Sequence, residues 1–174
     1  MMKRMTLFLL ALSMTVGLLA ACGSKTDESG AAGTDVDLEA LYNGWAETYN
    51  WTEDAQSGGE NTLLLMNVEG ETLEGFYPGL SELATKQLVA KAPMISAAVN
   101  EIVLVQCETE ADAAKAAAIL QERSDAQAEG GAFYPESLEA WGRATVLQQG
   151  TYVALIASSE HQEDLETSFN KQFA

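Results

Sequence analysis

Residues 101–107, Glu-Ile-Val-Leu-Val-Gln-Cys, restrict the fold more than any other segment of the chain. β-Branched and apolar side chains occupy both alternating faces of this run, as in a strand that is covered on both sides. The segment is therefore predicted to be a central strand of a sheet.

Five helices are predicted from apolar residues spaced by three and four and from capping residues and glycines at the ends. They cover residues 37–49, 71–77, 109–130, 136–141 and 161–173. Tyr42, Trp45 and Tyr49 form an aromatic stripe on the first of these helices, and we expect the stripe to face the core rather than a cofactor or partner groove.

Extended segments are predicted on both sides of the central strand. Residues 87–92 are predicted as a strand, and residues 144–148 and 151–157 as a hairpin joined by Gln149-Gly150. Residues 62–68 are apolar but fit either type, and the polar residues 50–61 are predicted to be a loop. The elements together predict one small α+β domain, with a mostly antiparallel sheet of about four strands packed by helices.

The first 22 residues have the pattern of a lipoprotein signal peptide. Lys3 and Arg4 precede an apolar run over residues 7–21, which is shorter than the roughly 20 residues that a membrane-spanning helix needs. The run ends in Leu19-Ala20-Ala21-Cys22-Gly23, which is similar to a bacterial lipobox. We therefore expect cleavage after residue 21 and a diacylglyceryl lipid on Cys22; the alternative is a soluble secreted protein with an incidental cysteine.

Composition divides the exported chain into a tether, residues 22–36, and a globular domain, residues 37–174. Residues 23–34 are mostly small and polar and have nothing to bury. Loss of the signal peptide would change the formal net charge from −17 to −19, because two bases and no acid are removed. Such a charge opposes binding to phosphate backbones, so we expect no nucleic-acid partner and no attraction to anionic lipid headgroups.

Several short motifs follow one another along residues 63–158. They are Tyr77-Pro78-Gly79-Leu80, Ala92-Pro93-Met94, Asn100-Glu101-Ile102, Arg123 late in the long helix, Tyr134-Pro135 and Gly150-Thr151-Tyr152-Val153. With a lipobox upstream, this order resembles the bacterial lipoprotein family called domain of unknown function 4358. The resemblance implies a small membrane-anchored α+β domain and implies no activity.

Glu101 and Arg123 are the strongest candidate site residues. One lies at the entrance of the buried strand and the other on a helix predicted to pack over the sheet, so the two side chains are placed to meet as a bidentate ion pair. The pair is then structural, or Arg123 captures a carboxylate of a ligand; the structural role is favoured, because Ala116 and Leu120 turn that helix face toward the sheet.

Few other side chains are candidates for catalysis. The single His161 lies beside Glu160, Glu163 and Asp164, and with Ser158 or Ser159 it suggests a hydrolytic arrangement, although an exposed surface histidine is favoured. Cys107 ends the buried strand and is expected to be an inert core thiol.

Metal chemistry is not expected from this composition. One histidine and two cysteines, one of them assigned to lipid, exclude a zinc cluster or a disulfide framework. Asp35, Asp37 and Glu39 alternate as in part of a calcium loop, but the required glycine is absent and helix capping explains them better.

Two classes of function follow from these observations. The first is a non-enzymatic bacterial surface lipoprotein, a binding or envelope accessory module that is held at the cell membrane outside the cytoplasm and contacts an envelope protein or peptide. The second is a small envelope hydrolase that uses a serine, His161 or Cys107. The anchor, the tether and the poverty of catalytic groups favour the first, so we expect neither enzyme activity nor a cofactor.

Overall fold

A single mixed sheet lies between two layers of helices in the computed structural model, which describes residues 35–59, 62–95 and 97–174. The predicted signal peptide, Cys22 and residues 22–34 of the predicted tether lie outside the described residues. Within the described ranges the strands are β1 (Trp51–Thr52), β2 (Leu63–Asn67), β3 (Thr85–Pro93), β4 (Asn100–Cys107), β5 (Thr145–Gln149) and β6 (Tyr152–Ser158). The helices are α1 (Leu38–Tyr49), α2 (Gly70–Phe76), α3 (Glu110–Ala126), α4 (Pro135–Trp141) and α5 (Gln162–Lys171), with a 3₁₀ turn at Leu80–Glu82 and a π turn at Gln127–Gly131.

The strand order is β1-β2-β3-β4-β6-β5. All neighbours are antiparallel except β1 and β2, which run parallel. The α+β class is confirmed, but the expectation of about four strands is wrong: the described residues form six, in a mixed sheet. One additional strand comes from the apolar run that fitted either type, and the other is β1, inside the predicted loop.

Burial of Trp51 explains why the predicted loop contains a strand. Its ring lies 5.5 Å from that of Tyr49 and 6.3 Å from that of Tyr42, between ring centroids. Asn50, just before it, has a φ of 58° and reverses the chain at the end of α1. Tertiary packing of one aromatic side chain therefore overrides the local polar pattern.

The prediction that residues 101–107 form a central strand is confirmed. β4 lies between β3 and β6, and all eight of its residues are buried. Its even-numbered side chains from Ile102 onward pack toward one layer of helices and its odd-numbered ones toward the other.

The two faces of the sheet carry different helices. The α3 face is covered by α2, α3 and α4, and Ala113, Ala116 and Leu120 of α3 are fully buried there. The α1 face is covered by α1 and α5, and buries Tyr42 and Trp45 of α1 with Phe169 of α5. The aromatic stripe thus faces the core as expected, except that Tyr49 is only half-buried.

Local sequence accounts for the helix starts. The Asp37 carboxylate accepts a hydrogen bond from the Ala40 N–H at 2.9 Å, and the Thr109 hydroxyl accepts one from the Asp112 N–H at 3.1 Å. The predicted hairpin is present, but β5 extends through Gln149, so the connection is Gly150-Thr151, one residue later than expected. Gly150 has the positive φ, 58°, that this turn requires.

The folded part begins earlier than residue 37. Val36, which the sequence placed in the tether, is buried. Its N–H donates to the Tyr152 hydroxyl at 3.1 Å, and its carbonyl accepts from Gln87 Nε2 at 2.9 Å. The chain is therefore tied to β3 and β6 one residue before the helix cap.

None of the helices in the described part of the chain has the length and apolar character that crossing a membrane requires.

Candidate functional site

A cleft of about 330 Å³ opens on the α3 face, at the end of the sheet where β4 begins. We call it the Arg123 cleft. Four elements contribute polar and aromatic side chains to its lining, among them Phe76 of α2, Asn100 and Glu101 of β4, Arg123 of α3, and Ser137 and Trp141 of α4.

Chain breakers place two of these elements. Pro78-Gly79 follows α2, so Phe76 is its last residue and Tyr77 leaves the helix with a φ of −135°. Pro135 occupies the first position of α4, which puts Ser137 in the first turn.

An ion pair forms the floor of the cleft. Arg123 Nε donates to Glu101 Oε1 at 2.9 Å, and Nη2 donates to Oε2 at 2.8 Å. The hydroxyl of Tyr77 donates to the same Oε1 at 2.7 Å. Glu101 therefore accepts three hydrogen bonds, and the pair has the bidentate geometry that suits guanidinium and carboxylate.

Aromatic rings hold the guanidinium in place. Arg123 Cζ lies 4.3 Å from the centre of the Phe76 ring and 5.5 Å from that of Trp141. Burial alone would lower the pKa of Arg123, but the hydrogen bonds and charge of Glu101 outweigh it and raise that pKa. Burial, and then the charge of Glu101, raise the pKa of the Tyr77 hydroxyl. Arg123 is therefore charged and Tyr77 protonated at neutral pH.

The cleft keeps some hydrogen-bonding capacity. The bidentate pair with Glu101 uses Nε and Nη2 of Arg123, so Nη1 remains for a further acceptor. Ser137 is buried, and its hydroxyl has no hydrogen-bond partner among the described residues. A buried hydroxyl without a partner costs roughly 1–3 kcal/mol, so this group is unusual in a core and fits a place where a ligand binds.

Exposed apolar side chains surround the opening. Met94 and Ile95 lie in the connection between β3 and β4, and Phe133, 83% exposed, precedes α4. All three line the cleft. Tyr134, whose ring packs edge-on to Phe133 at 5.1 Å between centroids, is also exposed. Large exposed apolar groups that gather around a cleft are typical of an interaction site.

A second buried charge lies on the α1 face. The Lys91 ammonium donates to Glu53 and to the Asn67 side-chain oxygen. It also lies 4.9 Å from the centre of the Tyr42 ring. The three contacts tie β3 to the segment after β1, to β2 and to α1.

The groups of the hydrolase hypothesis are only partly brought together. Ser158 Oγ accepts a hydrogen bond from the backbone N–H of His161 at 3.2 Å. The imidazole is half-buried rather than exposed as expected: it stacks on Tyr49 at 4.0 Å between ring centroids, with Nε2 3.7 Å from Glu160. The imidazole thus contacts Tyr49 and Glu160, while the serine bonds to the backbone.

Cys107 lies far from those groups. It is at the end of β4 opposite Glu101, six residues or about 20 Å along the strand. The thiol is free and buried, as the sequence predicted, and burial together with the charge of Asp112 raises its pKa. A thiol with a raised pKa has less of the reactive thiolate.

The acidic residues before α1 have structural partners. Asp37 caps that helix, and Asp35 accepts a 3.4 Å hydrogen bond from the Tyr152 hydroxyl. Across the described ranges, no group of three or more His, Cys, Asp or Glu side chains is arranged to hold a metal ion.

Sequence reasoning identified Glu101 and Arg123 but missed Tyr77, Ser137 and the exposed rim. Tyr77 and Tyr134 both stand in short motifs followed by proline, and this was the available signal. Which side chains such turns bring to one cleft depends on the packing of α2 and α4, which the motifs do not contain.

Comparison with known protein families matches residues 58–158 to the family described as Domain of unknown function (DUF4358). A search of curated proteins and a search of solved structures each returned no match. The family match includes Glu101, Arg123 and Ser137 and confirms the resemblance seen in the motifs. Because the match covers more than half of the 174 residues, the chain belongs to the DUF4358 family.

Proposed function

We propose that this protein is a bacterial lipoprotein, held at the membrane outside the cytoplasm through a lipid on Cys22, whose domain is a non-enzymatic binding module. The lipobox-like sequence at Cys22 supports the anchor. The Arg123 cleft supports the binding role, and we assign it as the site that receives the partner.

The observation that carries the binding role is the combination of an apolar rim with a polar floor. Met94, Ile95 and Phe133 expose large apolar side chains around Arg123 and the unpartnered hydroxyl of Ser137. Burying the rim under a partner is favourable, because each apolar square ångström removed from water contributes about 25 cal/mol. The polar floor then selects which partners fit.

The chemistry of the floor indicates an uncharged acceptor. Glu101 already neutralises Arg123, so a second carboxylate at Nη1 would place two anions on one cation. A peptide carbonyl accepts from Nη1 or from the Ser137 hydroxyl without adding charge. The proposed ligand is therefore an extended segment of an envelope protein or peptide that brings an apolar side chain and a backbone carbonyl.

A binding module is favoured over a small hydrolase that uses a serine, His161 or Cys107. The buried thiol with its raised pKa lies at the far end of β4, and the Ser158 hydroxyl bonds to backbone rather than to imidazole. Activity profiling of the full-length protein with serine- and thiol-reactive probes tests the alternative. Specific labelling of Ser158, Ser159 or Cys107 that denaturation abolishes would support a hydrolase.

Tryptophan side-chain N–H signals in NMR spectra test the site. Trp141 lines the Arg123 cleft, whereas Trp45 Nε1 donates to Ser168 at 2.9 Å on the α1 face and serves as an internal reference. We expect N-acetylated, C-amidated tripeptides with a central leucine or phenylalanine to shift the Trp141 signal of the full-length protein. Tripeptides with a central aspartate are the comparison and should bind more weakly.

Ser137→Ala supplies the site-specific variant. It should weaken peptide binding about tenfold, equivalent to about 1.4 kcal/mol, through loss of one hydrogen bond. Ser81→Ala, at an exposed serine that bonds to Glu74, is the matched control and should bind as the wild type does. The assigned site would be refuted if none of the capped tripeptides shifted the Trp141 signal at about 10 mM. Such a result would mean a Kd above about 10 mM, which is too weak for a useful partner.

The anchor is tested separately. Metabolic labelling with a fatty acid should mark the wild-type protein and leave Cys22→Ala unlabelled, because Cys22 provides the acceptor thiol. Cys107→Ser is the control, since Cys107 is the remaining cysteine of the chain and lies in the core. Equal label on the wild type and Cys22→Ala would eliminate the lipid assignment while leaving the cleft assignment untouched.

A further inference from the structure

A second cavity, of about 490 Å³, lies on the α1 face at the same end of the sheet as the Arg123 cleft. Its lining includes Tyr49 at the end of α1, Trp51 of β1, Asn100 at the start of β4, Ser158 at the end of β6, and His161 before α5. We call it the Asn100 cavity. Asn100 also lines the Arg123 cleft, so the two openings share that residue, whereas Tyr49, Trp51, Ser158 and His161 do not line that cleft.

The side-chain amide of Asn100, which lines this cavity, has a hydrogen-bond donor without a partner among the described residues. The residue is 2% exposed, and its Nδ2 group has no hydrogen-bond partner among the residues that the structure describes. Ile102 and Leu104, two and four residues further along β4, pack on the α1 face, so strand alternation directs the Asn100 side chain to that face as well. Asn100 is also one of the residues that line the cavity.

The side chain opposite Asn100 has a similar orientation. Ser158 pairs with Asn100 across β4 and β6, so the two side chains lie on the same face. Ser158 Oγ accepts from the His161 N–H, and its own hydroxyl proton is a further donor for a ligand oxygen. An amide and a hydroxyl therefore lie next to each other at this end of the sheet.

Aromatic rings form one wall of the cavity. The Tyr49 and His161 rings stack with 4.0 Å between centroids and 20° between planes, and the Tyr49 and Trp51 rings are 5.5 Å apart. Rings in direct contact leave no slot for a quaternary ammonium ion, which needs separated faces around it. They present instead a continuous surface on which an apolar face of a ligand can stack.

Charge also restricts the ligand. No lysine or arginine is present among the described residues that line the cavity, and the exposed Glu160 lies at its edge. An anionic ligand would meet the Glu160 carboxylate without a lysine or arginine to compensate. A ligand rich in hydroxyl groups can donate to Glu160 and accept from Asn100.

We propose that the Asn100 cavity binds a neutral saccharide. A pyranose ring offers an apolar face of C–H groups for the aromatic wall and a rim of hydroxyl groups that both donate and accept hydrogen bonds. This matches the aromatic rings, the Asn100 amide, the Ser158 hydroxyl and the Glu160 carboxylate. Apart from Asn100, the side chains that carry this proposal do not line the Arg123 cleft, and the proposal does not depend on the function proposed for that cleft.

The test uses the full-length protein in detergent micelles without a sugar headgroup. The probes are neutral trisaccharides of glucose, of mannose and of N-acetylglucosamine, each titrated while the tryptophan N–H signals are recorded. At least one should shift the Trp51 signal saturably with a Kd of about 1 mM or tighter, while the Trp45 signal stays fixed. Trigalacturonate, an anionic trisaccharide, should bind at least about tenfold more weakly.

Asn100→Leu is the decisive variant. It removes a buried amide whose Nδ2 lacks a partner among the described residues, so the melting temperature should be unchanged or higher while saccharide affinity falls at least about tenfold. Asn170→Leu makes the same chemical change at an exposed position on α5 and should bind as the wild type does. If Asn100→Leu fails to fold, His161→Ala at the half-buried stacking position provides the same test of affinity.

Three results would overturn the proposal. The first is that none of the neutral trisaccharides shifts the Trp51 signal at about 10 mM. The second is an unchanged saccharide affinity in both Asn100→Leu and His161→Ala. The third is that trigalacturonate binds as tightly as the neutral trisaccharides or more tightly. Because Trp141 reports on the Arg123 cleft, failure of saccharide binding and failure of peptide binding are distinguished in the same spectra.

Discussion

Lys91 and Glu101 are buried charges on neighbouring strands that face opposite sides of one sheet. Each has an opposite charge and a tyrosine beside it: Glu53 and Tyr42 for Lys91, and Arg123 and Tyr77 for Glu101. The two pairs differ in how exposed the basic side chain is and in which of its hydrogen-bond donors remain unused. Glu53, Asn67 and the Tyr42 ring contact the Lys91 ammonium, and that side chain is 6% exposed, whereas the Arg123 side chain is 17% exposed and its Nη1 takes no part in the ion pair.

The difference separates a structural pair from a pair that also serves a site. The Lys91 cluster joins α1, β2, β3 and the segment after β1. Lys91 also lines a cavity, of about 350 Å³, but none of the exposed large apolar side chains in the described part of the chain lines it. The Glu101 pair lies beside the unpartnered Ser137 hydroxyl and below the exposed rim. Burial of charge alone therefore does not identify a site; remaining donors in an accessible cleft do.

The two pairs also differ in how well each acid is shielded from water. The Glu101 side chain is 4% exposed, whereas that of Glu53 is 38% exposed. After loss of the basic partner, water therefore solvates Glu53 more readily than Glu101. The pair at the cleft should therefore be the more costly one to break.

Arg123→Met is expected to have the largest effect. It leaves the Glu101 carboxylate buried with only the Tyr77 hydroxyl as donor, and breaking a buried pair in this way costs about 3–5 kcal/mol. Urea denaturation followed by circular dichroism measures the change in free energy of unfolding.

The control for Arg123→Met is the double variant Glu101→Leu with Arg123→Met. Replacing both charges by apolar groups should recover most of the loss, since no buried charge remains unpaired. If Arg123→Met lost less than about 1 kcal/mol, the pair would contribute no more than a surface ion pair does.

Lys91→Met should cost less, about 1–3 kcal/mol, the range for leaving polar partners without their donor. Glu53 gains water in the variant, and methionine retains much of the aliphatic contact with Tyr42. The same denaturation measurement gives the comparison directly. A loss equal to that of Arg123→Met would show that exposure of the remaining acid does not decide the cost.

Alkaline pH provides a smaller, graded test of both clusters. Burial, followed by nearby carboxylates, raises the pKa of both Tyr77 and Tyr42 above the ordinary value of 10.0. Below about pH 10 these tyrosines are neutral in both states, so their contribution to stability is fully present. As the pH rises further the unfolded chain releases the proton first, and stability falls by up to about 1.4 kcal/mol per pH unit for each tyrosine.

Tyr77→Phe and Tyr42→Phe each remove one of these protons. Each variant should therefore lose stability less steeply than the wild type as the pH rises from about 10 to 11, whatever its stability at neutral pH. The free energy of unfolding, measured at several pH values in that window, gives the slope. Slopes identical to that of the wild type would mean that the tyrosines titrate normally in the folded protein.

Much of the fold could be predicted because its causes are local. The Asp37 and Thr109 caps and the doubly apolar strand β4 lie within a few residues of what they determine. Val36 and Trp51 could not be predicted, since Val36 is fixed by Gln87 and Tyr152, and Trp51 by rings on α1. Their conformations depend on contacts that form only when the chain has folded.

The candidate site divides in the same way. A charge at the start of a buried strand and a base on the covering helix were enough to suggest the Glu101 and Arg123 pair. The third donor, Tyr77, lies just after α2, and Ser137, whose hydroxyl has no partner among the described residues, lies in α4. The positions of these two helices over the sheet have no local sequence signal. The rim was missed because Met94, Ile95 and Phe133 belong to connections rather than to periodic segments.

Ser137→Ala is expected to have the smallest effect on stability, and the sign of that effect distinguishes the two regions. In the Lys91 cluster every deletion removes a made contact, so each variant loses stability. The Ser137 hydroxyl has no partner among the described residues, so its removal relieves a desolvated polar group and should leave the free energy of unfolding unchanged or raise it by up to about 1 kcal/mol. Asn67→Ala, which takes an acceptor from Lys91, is the matched polar deletion and should be destabilising. A clear loss of stability in Ser137→Ala would show that the hydroxyl contributes to the fold, and the Arg123 cleft would then resemble the Lys91 cluster rather than a binding site.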